Sequence, residues 1–71
     1  MPKLPRTSGA AIVKALERLG FVRVRQSGSH VIMRRGPKGC VVPLHSEVKV
    51  GTLAGILRQA EVSHDDFIGV A

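Results

Sequence analysis

The sequence predicts an α+β domain in the order α-β-β-β-α with a short C-terminal helix, its three-stranded antiparallel sheet covered by helices on one face. Three observations carry this. Apolar residues recur at helical spacing near both ends of the chain. Between them lie three β-rich runs separated by glycine-containing turns. The 71 residues are 44% apolar and 23% charged, the composition of one compact domain; a chain of this length buries only about 60% of its unfolded surface and has no room for a second core.

From Ser8 onward the pattern is helical. Ala11, Ile12, Ala15, Leu16 and Leu19 share one face and Lys14, Glu17 and Arg18 the other, with Ser8 or Thr7 able to cap the start. Gly20 is placed to end the helix in the left-handed conformation, which would set Phe21 back onto Leu16. Phe21 to Arg25, His30 to Arg34 and Cys40 to Leu44 are the strand runs. Gln26-Ser27-Gly28-Ser29 and Gly36-Pro37-Lys38-Gly39 are the turns between them. After a loop through Ser46 to Val50, the residues Leu53, Ile56, Leu57 and Ala60 mark a second amphipathic helix. Ser63 with Asp66 three residues on is an N-cap signature for a terminal turn carrying Phe67 and Ile68 into the core. Residues 1–71 thus read as one domain, with 1–6, two prolines and two bases, as a loose basic arm.

The register follows from the turn centres. Centring the first hairpin on Ser27 and Gly28 pairs Val24 with Val31 and Val22 with Met33, turning all four inward and leaving Arg23, Arg25, His30, Ile32 and Arg34 outward. Centring the second on Pro37 and Lys38 pairs Val42 with Met33 and Leu44 with Val31, and sets His45 across from His30. A slip of one residue reverses every side chain.

Eleven Lys and Arg against five Asp and Glu give a net charge of +6. All eleven bases fall within residues 1–60, opposed there only by Glu17 and Glu47, while Glu61, Asp65 and Asp66 close the chain. Such a charge on so small a body points to a polyanionic partner, nucleic acid before membrane, because no basic amphipathic helix is present. The longest apolar stretch, Ala10 to Val13, is far short of a membrane span, and Lys14 interrupts any imitation of a signal core, so a cytoplasmic protein is expected. Cys40 is the single cysteine and His30, His45 and His64 are scattered, so neither a disulfide nor a zinc site is expected; Cys40 reads as a small core hydrophobe.

The pieces Leu19-Gly20-Phe21, Gly28-Ser29-His30, Val42-Pro43-Leu44-His45, Gly51-Thr52-Leu53, Ile56-Leu57 and Gln59-Ala60, in this order and over about Thr7 to Phe67, resemble the HicA-type mRNA interferase toxins of type II toxin–antitoxin systems. The resemblance implies a double-stranded-RNA-binding-like fold, cleavage of messenger RNA, neutralisation by a HicB-type antitoxin, and His30 as the catalytic residue, with Gly28 and Ser29 as the backbone of its motif. The chain departs from many members at Val31, where a polar or aromatic residue follows the histidine, and at Ala54, where a basic residue follows Gly-Thr-Leu.

The chemistry of the residues agrees. RNA carries its own nucleophile, the 2′-hydroxyl, so its cleavage needs a group that moves protons near neutral pH and cations that steady the phosphorane. Histidine, with an ordinary pKa of about 6.5, suits the first task and arginine the second. No metal or other cofactor is called for. Arg23, Arg25, Arg34, Arg35 and Lys38 are the candidate phosphate ligands. For His45 two readings stand: an acid or base partner of His30, or an exposed loop histidine. Phe21 and Phe67, the two aromatics, are both needed in the core, so base stacking is poorly supplied and sequence selectivity is expected to be weak. The alternative to a ribonuclease is a non-catalytic double-stranded-RNA-binding or partner-docking module, for which His30 would be dispensable.

Overall fold

The computed structural model describes residues 3–71; Met1 and Pro2, the start of the expected arm, lie outside the described residues. The elements are α1 (Gly9–Arg18), β1 (Val22–Ser27), β2 (His30–Arg35), β3 (Lys38–Pro43), α2 (Val50–Ala60) and α3 (His64–Val70). The sheet is antiparallel with strand order β1-β2-β3. α1 and α2 lie against one of its faces and α3 packs on those two helices, giving the expected α+β architecture.

Both ends of α1 follow from the sequence. The Ser8 hydroxyl accepts from the Ala11 N–H at 3.1 Å, satisfying one of the free donors of the first turn. At the other end Gly20 takes φ +95°, the Phe21 N–H donates to the Leu16 carbonyl at 3.0 Å and the Gly20 N–H to the Glu17 carbonyl at 3.1 Å. These two bonds are the Schellman pattern, and they deliver Phe21 buried into the core. Gly9 is required by close approach: a Cβ there would collide with the Pro43 carbonyl oxygen. Its N–H donates to the His45 carbonyl at 2.9 Å, tying α1 to the segment after β3.

α2 begins at Val50, one turn earlier than the apolar spacing marks, so Gly51 falls inside its first turn. It ends through the same pair of bonds as α1, with Glu61 in the left-handed conformation at φ 57°. α3 is capped by Ser63, whose hydroxyl accepts from the Asp66 N–H at 3.1 Å, and it buries Phe67. One core cluster joins Ile12, Val13 and Leu16 of α1, Val31 and Met33 of β2, Cys40 and Val42 of β3, and Leu53 and Leu57 of α2.

The arm differs from the expectation. Leu4 is buried in the core, Arg6 pairs with Glu47 at 3.2 Å, and the Val48 N–H donates to the Thr7 carbonyl at 2.7 Å. From Leu4 onward the arm is tied down, because Leu4 supplies apolar area that a small core needs.

The register also differs, and for one reason in both hairpins. The turn centres are Gly28-Ser29 and Gly36-Pro37, with Gly28 at φ +57° and Gly36 at φ +58°. Each glycine takes the first central position, where a type II′ turn needs positive φ; the expected centres placed it second or left it outside. In the second hairpin the shift is two residues, which preserves the face: Val42 and Cys40 stay inward, now opposite Val31 and Met33. In the first, the turn also shifts the pairing by two residues, and a β-bulge between Arg23 and Arg25 takes one of them back, leaving a net slip of one that reverses the faces. Val22 therefore lies opposite Arg34 and is 60% exposed, and Val24, the bulged residue, is 55% exposed; neither points into the core as expected.

Candidate functional site

The open face of the sheet is fixed by β2. Val31 and Met33 are fully buried against the helices, so His30, Ile32 and Arg34 face away from them, as expected. Their cross-strand partners share that face: Ser27 and Pro43 flank His30, Arg25 and Val41 flank Ile32, and Val22 and Gly39 flank Arg34.

His30 is exposed at the first position of β2, the closing residue of the Gly28-Ser29 hairpin. The turn is held by the Gln26 amide, which donates to the Gly28 carbonyl at 3.0 Å, and by the Leu44 N–H, which donates to the Ser29 carbonyl at 2.6 Å. The motif glycine and serine thus place the histidine by backbone geometry.

Five cations were expected to bind phosphate, and the structure divides them. Arg25 lies on the open face two residue pairs from His30, about 8 Å away by strand geometry, and Arg34 four residues along β2, about 13 Å. Neither forms an ion pair among the described residues. Arg23 is a correction: the bulge sets it opposite Met33 on the helix side, where its Nε lies 3.6 Å from a Glu17 carboxylate oxygen. Arg35 is also turned to the helix side. Its guanidinium donates to the Leu19 carbonyl at 2.6 Å and lies 4.8 Å over the Phe21 ring, closing the end of α1. Lys38 pairs with Arg35 beside the far turn, about 17 Å along the strand from His30.

His45 is a second correction of register. Pro43, and not His45, lies opposite His30. His45 follows the end of β3, displaced by about 7 Å of strand from the expected position, with its carbonyl held by Gly9. It is exposed.

Two open-face residues escaped the sequence reasoning. Ser27 is the direct partner of His30, the closing pair of the hairpin, with Cα atoms about 5.5 Å apart. The rule that a II′ turn takes glycine first would have found it. Gln59 of α2 reaches the outer edge of β3, where its Oε1 accepts from the Val41 N–H at 3.2 Å. Nothing in the helical periodicity marks Gln59, because it is off the apolar stripe. Pro43 completes that edge: two residues after Val41, its ring nitrogen occupies a position whose N–H would point away from β2.

The layout is that of a small α+β domain whose sheet carries Arg25 and Arg34 on the face turned away from the helices. The scan against protein families matches residues 9–62 to "HicA toxin of bacterial toxin-antitoxin". The chain belongs to the HicA toxin family, and is the toxin member of a toxin–antitoxin system with an antitoxin as partner. No curated protein matches the chain. Among the described residues no helix is long and apolar enough to cross a membrane.

Proposed function

We propose that the chain is a metal-independent endoribonuclease that cleaves messenger RNA on its open sheet face. The observation that carries this is the placement of one exposed histidine, His30, between Ser27 and Pro43 on the face that also holds Arg25 and Arg34. His30 takes the proton of the 2′-hydroxyl as it attacks phosphorus. The phosphorus–O5′ bond breaks, leaving a 2′,3′-cyclic phosphate, and the imidazolium so formed is the nearest acid for the departing 5′-oxygen. Arg25, the closer of the two arginines, balances charge on the reacting phosphate, while Arg34 holds the chain further along. Ser27 contributes a hydroxyl to the same phosphate or to the imidazole ring. Because Pro43 fills the position across from His30, this reading assigns both proton transfers to His30 and none to His45.

A HicB-type antitoxin inhibits by covering this face, with acidic groups against Arg25 and Arg34. One surface holds both the histidine and the free arginines, so one complementary patch blocks substrate and chemistry together.

The test is purified His30→Ala. Cleavage of a long RNA should disappear while RNA binding persists, because the arginines remain, and the unfolding free energy should stay within about 0.5 kcal/mol of the parent, as for an exposed residue with little packing. Full cleavage by His30→Ala would remove the enzyme reading and leave a binding module.

A further inference from the structure

Beyond His30 the open face is not flat. A hollow of about 240 Å³ lies beside Ile32, lined by Ile32, Arg34, Gly39, Cys40, Val41 and Gln59. It is a shallow depression open to solvent, with room for more than one water. Gly39, opposite Arg34, has no side chain, and the Arg34 stem lies across it, 3.4 Å from where a Cβ would stand. Ile32 and Val41, a cross-strand pair, contribute apolar surface; Ile32 is half-buried and Val41 40% exposed.

The polar groups at its wall are donors. An N–H can be accepted only by the oxygen of the Gln59 amide, so the bond from Val41 fixes the amide orientation and leaves its NH₂ group as a donor. The Arg34 guanidinium supplies further donors and no acceptor. Two donor groups beside an aliphatic floor suit a base edge with two adjacent acceptors. Guanine offers such an edge at O6/N7, the one that arginine most often reads, and cytosine at N3/O2; the larger guanine ring covers more of the aliphatic floor, and adenine presents an amino donor in place of O6.

The geometry points to this hollow as a nucleobase subsite that prefers guanine, with Gln59 as its specificity-determining residue. The inference rests on the endoribonuclease reading, and it replaces the expectation of weak selectivity by a preference at one nucleotide. The hollow begins at Ile32, about 7 Å along β2 from His30, so the selected base belongs to a nucleotide adjacent to the cleaved linkage.

Gln59→Glu provides the test, because it keeps an oxygen for the Val41 N–H, and with it the structural bond, while replacing the donor by a carboxylate oxygen. Binding of nine-nucleotide RNAs that differ only in one central residue is measured by fluorescence anisotropy on full-length His30→Ala protein, alone and combined with Gln59→Glu. Cleavage sites of the wild-type protein are mapped in parallel on a long RNA. The guanosine RNA should bind about tenfold tighter than the adenosine RNA, and inosine, which keeps O6 and N7, should match guanosine. Gln59→Glu should bring the guanosine-to-adenosine ratio to about one, whatever its effect on affinity overall. Equal binding of guanosine and adenosine, or an unchanged ratio in Gln59→Glu, would overturn the subsite. Cleavage without base preference would do so while leaving the nuclease reading intact, whereas absence of both binding and cleavage would remove both.

Discussion

Phe67→Ala should cost about 3 kcal/mol and should destabilise the whole domain. The family match ends at residue 62, so α3 lies outside it, yet Phe67 is 1% exposed and belongs to the core that α1, the sheet and α2 share. The Arg18 guanidinium also donates to the Val70 carbonyl at 2.7 Å, joining α1 to the last turn of α3. Truncating a fully buried Phe to Ala costs about 3–5 kcal/mol, and a short terminal helix that can settle into the space puts the cost at the lower end. A domain of this size has roughly 4–10 kcal/mol in all, so the variant would lose between a third and most of it. With a urea m-value of about 1 kcal/mol/M, the midpoint should fall by about 3 M, read by far-UV circular dichroism. A fall below about 0.5 M, with only a small loss of helical signal in the folded baseline, would show that α3 frays independently and that Phe67 does not complete the core.

Two further outcomes concern stability. Glu61 holds a left-handed conformation at φ 57° that disfavours any residue with a Cβ, so Glu61→Gly should raise stability by about 0.5–1 kcal/mol in the same urea titration; an unchanged or lowered midpoint would deny that the position is strained. Burial pushes the Cys40 thiol up from 9.0 to about 11. Its neutral form is therefore favoured by folding, a contribution fully present below the unfolded pKa and lost as pH rises from about 9 through 11, worth at most about 2–3 kcal/mol. The parent should lose stability over that window more steeply than Cys40→Ala, and at pH 8 its thiol, about one part in a thousand ionised, should react with a thiol reagent only as fast as the domain opens.

The helices were legible in the sequence because their signals are local: Ser8, Gly20 and Ser63 act within one turn of the chain. The inward faces of β2 and β3 were legible too, since a two-residue error in the second hairpin leaves sidedness unchanged. β1 was not. The alternation Val22-Arg23-Val24-Arg25 imitates a half-buried strand, and a bulge leaves no mark on that alternation, so Arg23 and Val22 exchanged faces. The candidate site was legible in His30, Arg25 and Arg34. Arg35 and Lys38 could not be sorted from them by composition, because cation–π packing on Phe21 and the capping of Leu19 are tertiary contacts. Ser27 was within reach of the sequence through the glycine-first turn rule, whereas Gln59 became visible only through its bond to the edge of β3.

The claim that RNA supplies the nucleophile and His30 moves its proton is tested most directly by one substitution in the substrate. A short RNA with a mapped cleavage site is compared with the same RNA carrying 2′-deoxyribose on the 5′ side of the cleaved linkage, both in EDTA. The all-ribose RNA should be cut to a 2′,3′-cyclic phosphate and a 5′-hydroxyl, and the deoxy-substituted one should bind equally well and remain intact. Cleavage of the deoxy-substituted RNA, or 5′-phosphate ends that form only with a divalent cation, would contradict the mechanism.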